Sequence, residues 1–271
     1  MLFRLTLIMS LLLVFGEKPA GAMPSFQVEI LPWNQVKEIL PKYSYFTIID
    51  VDTGLSFNVQ RRAGSKHADV QPVTEKDTEM MKTIYGGTWS WDRRAILVLV
   101  NDKLISASMN GMPHGGGALQ NNFPGHFCVH FYGSTTHKTP TPDLAHKIMI
   151  LKAGGKLDQF LYQSDPYELI SFLEIAINQQ DEKLLSRIMT GNKGQVRKAL
   201  SSVKHVQITQ RSILPVEDLP AFVALDFQFR VKWIKSDHSQ EEKKIQFYLL
   251  RDTPEDQWKI DGQTFAGEMG F

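Results

Sequence analysis

Apolar and polar residues alternate over four short runs in the first half of the chain: Tyr45 to Val51, Ser56 to Gln60, Ala95 to Val100 and Lys103 to Met109. Successive side chains of a strand point to opposite faces, so this pattern predicts strands. Asp52-Thr53-Gly54 lies between the first two runs and Asn101-Asp102 between the second two, which predicts two hairpins. Thr74 precedes Glu75-Lys76-Asp77, and Met80, Met81 and Ile84 follow at helical spacing. A helix is therefore expected from about 75 to Tyr85, ended by Gly86-Gly87, and another from Pro142-Asp143 through Ile150.

From about Asp158 the period lengthens. Ser164-Asp165-Pro166 opens a long amphipathic helix carrying Leu169, Phe172, Leu173 and Ile177; a second runs through Leu184, Leu185 and Ile188, and a third lies near Gly194 to Val203. Three long alternating runs follow, Val206 to Ile213, Phe222 to Ile234 and Lys244 to Leu250, then a short strand around Trp258 and Ile260. The pattern divides the chain into a mainly β domain over 23–156 and an α+β domain over 157–271. Helices followed by a meander of long strands resemble the cone-shaped domain of the nuclear-transport-factor-2-like superfamily, which implies an accessory or binding role.

The first 22 residues form a separate unit: Arg4, an apolar run from Leu5 to Phe15, then Ala20-Gly21-Ala22, the arrangement of a secretory signal peptide and its cleavage site. No later run approaches the roughly 20 apolar residues of a membrane-spanning helix, so no transmembrane segment is expected once the signal is removed. The expected location is extracytoplasmic. A hydrophobic content of 42% is ample for a packed core, and a formal net charge of +1 offers no basic field for nucleic acid.

Export makes the single cysteine informative. Cys128 has no partner within the chain for a disulfide, so it is structural, reactive, or paired between chains. It sits in Pro124-Gly125-His126-Phe127-Cys128-Val129-His130-Phe131. If this segment is a strand, Phe127, Val129 and Phe131 share one face, and His126, Cys128 and His130 share the other. An imidazole beside a thiol can lower its pKa and favour the nucleophilic thiolate. Upstream, Met112-Pro113-His114-Gly115-Gly116-Gly117 brings another histidine to the end of the preceding strand.

These motifs resemble the L,D-transpeptidase family of cell-wall enzymes, over roughly residues 45–155. His114-Gly115 matches the family's His-Gly pair, while His126, Cys128 and Val129 match its Ser/Thr-His-Gly-Cys-Val/Ile-Arg motif. Gly125, Phe127 and His130 depart from that motif. The run through Lys66-His67-Ala68-Asp69, Tyr85 to Arg94, Ser108 to Gly115 and Gly125 to Phe131 is also similar to a domain of secreted Gram-positive proteins. The resemblance implies cysteine-dependent acyl transfer on peptidoglycan stem peptides, of transpeptidase or carboxypeptidase type, with no cofactor. Cys128 would be the nucleophile, His114 the group taking the thiol proton, and His126 a residue shaping the site. The Phe127 and Cys128 backbone N–H groups would be candidate oxyanion donors.

Two other readings use the same residues. His67, Asp69, His126 and His130 are competent zinc ligands, which allows a zinc-dependent peptidoglycan peptidase. A structural Cys128 would instead leave a non-catalytic wall-binding protein. Trp89, Trp91, Arg94 and His130 are candidate substrate contacts, the indoles for sugar rings and Arg94 for a carboxylate. Core packing for the indoles and a solvated turn for Asp92-Arg93-Arg94 are the plainer alternatives, and His137 and His146 read as surface residues.

Overall fold

In the computed structural model, which describes residues 27–136, 140–211, 219–235 and 237–270, the first half curls its strands into a closed ring. The leader over 1–22 and His137 lie outside the described residues. In chain order the elements are β1 (Val28–Glu29), α1 (Trp33–Ile39), β2 (Tyr45–Asp50), β3 (Ser56–Ala63), β4 (Ala68–Pro72), α2 (Glu75–Ile84), β5 (Arg94–Val100), β6 (Lys103–Met109), β7 (Phe127–His130) and α3 (Leu144–Ala153). The sheet order is β1-β6-β5-β2-β3-β4-β7, and β7 also pairs with β6. The start of β6 carries β1 in parallel, with Val28 opposite Leu104; its end carries β7 antiparallel, with Met109 opposite Val129.

Alternation explains the ring's interior. Ile48, Val59, Val70, Val98, Ile105, Met109, Phe127 and Val129 all point into one buried cluster. Burying a side chain of this size contributes about 1.5–3 kcal/mol. Both expected hairpins form, and α2 begins where Thr74 and Asp77 make a reciprocal capping box. Asp50, fully buried at the end of β2, is held by Arg94 through two contacts of 2.7 and 2.8 Å.

The second half contains α4 (Leu157–Tyr162), α5 (Pro166–Asn178), α6 (Glu182–Ile188), α7 (Lys193–Ser202), β8 (Val203–Arg211), β9 (Ala224–Lys235), β10 (Gln240–Leu250), β11 (Lys259–Ile260) and α8 (Gly262–Met269). Its strands form an antiparallel sheet in the order β11-β10-β9-β8. Phe227, Phe229, Phe247 and Phe265 meet edge to face along its inner side, with ring centroids 5.8, 4.9 and 5.4 Å apart. Helix α3 joins the two halves. It lies on β5 and β6, while Ile148 and Met149 enter the core of the second half. At the same junction Lys152 bridges Asp52 at 3.1 Å and Asp181 at 2.8 Å, and Lys183 reaches Asp52 at 2.9 Å.

The architecture is therefore mixed, a barrel-like sheet and a second sheet accompanied by helices in both halves. The expected mainly β first domain is only partly seen, because α1, α2 and α3 all belong to that half. Among the described residues no helix is long and apolar enough to cross a membrane.

Candidate functional site

The outer face of β4, β7 and β6 holds the chemistry. Ala68 and Val70, Val129, and Ala107 and Met109 face the core, so Asp69, Cys128, His130 and Ser108 face the other way. Asp69 stands opposite Cys128 in the β4–β7 pair, and Ser108 opposite His130 in the β6–β7 pair. The loop from Asn110 to Gly125 and the N-terminus of α3 border a cavity of about 760 Å³ over this face, lined by Cys128, His114, His130, Arg93 and Trp91 among others.

The connection between His114 and His126 is pinned at its ends. Each donates its backbone N–H to the other's carbonyl at 2.9 Å. Gln71 holds the same loop from β4, donating to the Gly125 carbonyl at 2.8 Å and accepting from Ala118 N–H at 2.9 Å. Two glycines permit this close approach. Gly125 has φ +127, and a Cβ there would lie 2.5 Å from the His114 carbonyl; Gly115 has φ +60, and a Cβ would lie 2.4 Å from the His126 ring.

This anchoring brings His114 Nε2 to 3.3 Å from Cys128 Sγ. His114 Nδ1 lies 2.9 Å from the Met112 carbonyl, which can only accept. A proton therefore sits on Nδ1, and Nε2 is the ring atom that faces the thiol. His126 is fixed in a similar way, with Nδ1 3.0 Å from the Gly116 carbonyl and Nε2 3.9 Å from Asp69 Oδ1. The Trp91 ring, half exposed, lies 5.1 Å from the His114 ring at the mouth.

Behind the thiol is a buried stack of imidazoles. His67 and His130 have ring centroids 4.5 Å apart, and His130 and His146 3.8 Å apart. His67 Nδ1 lies 2.7 Å from the Thr135 carbonyl and Nε2 3.1 Å from Asp69 Oδ1, and His146 Nδ1 lies 2.9 Å from Ser108 Oγ. Burial holds His130 well below the ordinary imidazole value, aided by His146 and His67; burial and then Arg93 do the same to His146. Both rings are neutral at physiological pH.

Burial also pushes the Cys128 thiol up, and the Asp69 carboxylate pushes it further. The sequence-based expectation of a lowered thiol pKa is thus reversed, because neither the burial of the sulfur nor the carboxylate beside it has a signature in the Cys-His motif. The oxyanion expectation also changes. Phe127 and Cys128 are strand residues paired with β4, so their N–H groups lie in the plane of the sheet while Sγ projects from its face.

Of the candidate residues, the structure gathers Cys128, His114, His126, His67, Asp69 and His130, with Trp91 beside them. It places Arg94 elsewhere, paired with buried Asp50, and Trp89 against Phe123 of the core at 5.2 Å. Arg93 takes the place expected of Arg94 in the cavity wall, held by Asp143 at 3.1 Å. His146 is buried, not on the surface, because α3 packs that side against β6. Asn110, Asp143 and His146 were not singled out as site residues by sequence; the Asn110 position could have been found by extending the outward-facing Ser106-Ser108 alternation of β6.

Comparison with protein families, curated proteins and solved structures returns no match.

Proposed function

We propose that this chain is an exported cell-envelope enzyme of L,D-transpeptidase type, acting on peptidoglycan stem peptides through Cys128. The observation that carries the proposal is the contact of 3.3 Å between Cys128 Sγ and Nε2 of His114 at the wall of a cavity. The thiol rests protonated in this environment. As an acyl carbonyl arrives, His114 Nε2 takes the thiol proton while sulfur bonds to the carbonyl carbon. The same proton is then delivered to the leaving amine, giving a thioester. Attack by an amine or water on that thioester, with its proton accepted by His114, releases product and restores the thiol.

Other features support a peptide carrying both apolar and charged groups. Trp91 offers an exposed ring at the mouth, and the Arg93 guanidinium offers charge to a stem-peptide carboxylate. The second half, with its aromatic-filled core, is assigned the cone-shaped accessory role of the nuclear-transport-factor-2-like superfamily.

The test is incubation of the purified protein with disaccharide-peptide fragments of peptidoglycan, followed by mass analysis. Trimmed stems or cross-linked dimers are expected, absent with Cys128→Ala and reduced about 10²–10⁴-fold with His114→Gln. Equal binding to wall material by the wild type and Cys128→Ala, with no product from either, would instead identify a non-catalytic wall-binding protein.

A further inference from the structure

We propose that His67, Cys128 and His130 form a binding site for a soft divalent cation of the zinc(II) class, and that the bound cation withdraws Cys128 from acyl transfer. One ligand atom from each residue lies within 4.8 Å of the other two. Bonds of about 2.0–2.1 Å to imidazole and about 2.3 Å to thiolate put neighbouring ligand atoms of a tetrahedral zinc site roughly 3.3–3.8 Å apart. Contraction by about 1 Å therefore closes the set.

The surroundings are those of ligands already oriented. His67 gives Nδ1 to the Thr135 carbonyl at 2.7 Å, the usual outer-shell arrangement of a ligating histidine, and its Nε2, 3.1 Å from Asp69 Oδ1, would exchange that contact for the metal on binding. His130 is 3% exposed, and its Nδ1 is buried without a hydrogen-bond partner. Stacking between His67 and His146 fixes the plane of its ring. Such a buried polar side chain facing a cavity calls for an occupant. Two imidazoles with a thiolate favour zinc-like ions over magnesium or calcium. Asp69 Oδ1, 3.1 Å from His67 Nε2 and 3.9 Å from Cys128 Sγ, places negative charge beside the cation. This set has Cys128 in place of His126, which is not among the ligand atoms that lie within 4.8 Å of one another.

The sulfur that would ligate the metal is the one that faces His114. On binding, the S–H bond breaks, a sulfur–metal bond forms and the proton leaves to solvent, with no change in oxidation state. The thiolate is then no longer available to a carbonyl. This inhibitory role rests on the proposed acyl transfer, whereas the binding site itself does not.

The test titrates the purified full chain with zinc(II), and separately with cobalt(II), by equilibrium dialysis and absorption. One metal per chain is expected, with a thiolate-to-cobalt charge-transfer band lost in Cys128→Ser, His130→Ala and His67→Ala but kept in His114→Gln. Zinc should slow alkylation of Cys128 roughly 10-fold or more, with recovery on adding a chelator. Absence of saturable binding, or a cobalt band that survives both histidine substitutions, overturns the site. Acyl transfer at full rate with zinc bound overturns the inhibitory role alone. A cobalt band in a protein without transferase activity would sink the acyl-transfer proposal and its inhibition while leaving the metal site standing.

Discussion

Along β9 the residues between the buried ones, among them Asp226, Arg230 and Lys232, face solvent, whereas along β4 and β7 both faces are buried. The two sheets share a period of two. They differ in what covers the second face: the outer side of β9 and β10 is largely open, while the outer side of β4, β7 and β6 lies beneath the Asn110-to-Gly125 loop and the start of α3. Polar residues on an open face need no explanation. Polar residues on a covered face must each find a partner or a ligand, because burying them otherwise is costly. The histidines, Asp69 and Cys128 are the cases where that requirement becomes chemistry.

The largest effect that tests this contrast belongs to a buried charge outside the cavity. Asp50→Ala leaves Arg94 without its bidentate partner, and a loss of about 3–5 kcal/mol is expected in denaturant unfolding. Stability close to wild type would mean that covered polar groups are not held as tightly as described. Next comes Gln71→Ala, which strands the Gly125 carbonyl and the Ala118 N–H; about 1–3 kcal/mol is expected, together with a loosened His114–Cys128 contact. Unchanged stability and an unchanged Cys128 alkylation rate would argue against the loop's anchoring role.

A smaller effect is expected at the junction of the two halves. Burial raises the Asp52 carboxyl, but Lys183 and Lys152 outweigh it and hold it below the ordinary aspartate value. The folded state therefore gains stability above the unfolded pKa of about 3.9, and loses it as pH falls through the lower folded value. Asp52→Asn should flatten that part of the acid-unfolding curve; an identical acid limb would contradict the assignment. The smallest change belongs to Lys232→Ala on the open face of β9. Its pair with Glu242 at 3.5 Å is exposed, so a change within about 0.5 kcal/mol is expected, and a larger one would show that this face is covered in solution.

Much of the fold was legible because alternation and capping are local. The hairpins on either side of Asp52-Thr53-Gly54 and Asn101-Asp102, the Thr74 start of α2 and the Asp165-Pro166 start of α5 all appear in the expected places. Helix α8 was not anticipated: Gly262 and Gly267 are poor helix formers, and burial of Phe265 and Met269 compensates. Within the site, period two placed Cys128 and His130 on one face and Phe127 and Val129 on the other. The choice of Arg93 over Arg94 was not legible, because both follow Asp92 and only the buried position of Asp50 distinguishes them. The burial of His146 depends on how α3 docks, which no local pattern records.

The most direct test of the Cys128–His114 assignment is capture of the covalent intermediate. The purified protein would be mixed with a stem-peptide thioester donor, quenched in acid, and analysed by intact mass and peptide mapping. The account predicts one acyl group per chain on Cys128, formed much more slowly in His114→Gln and absent in Cys128→Ser. Acylation at wild-type rate without the His114 imidazole, or at a residue other than Cys128, would contradict it.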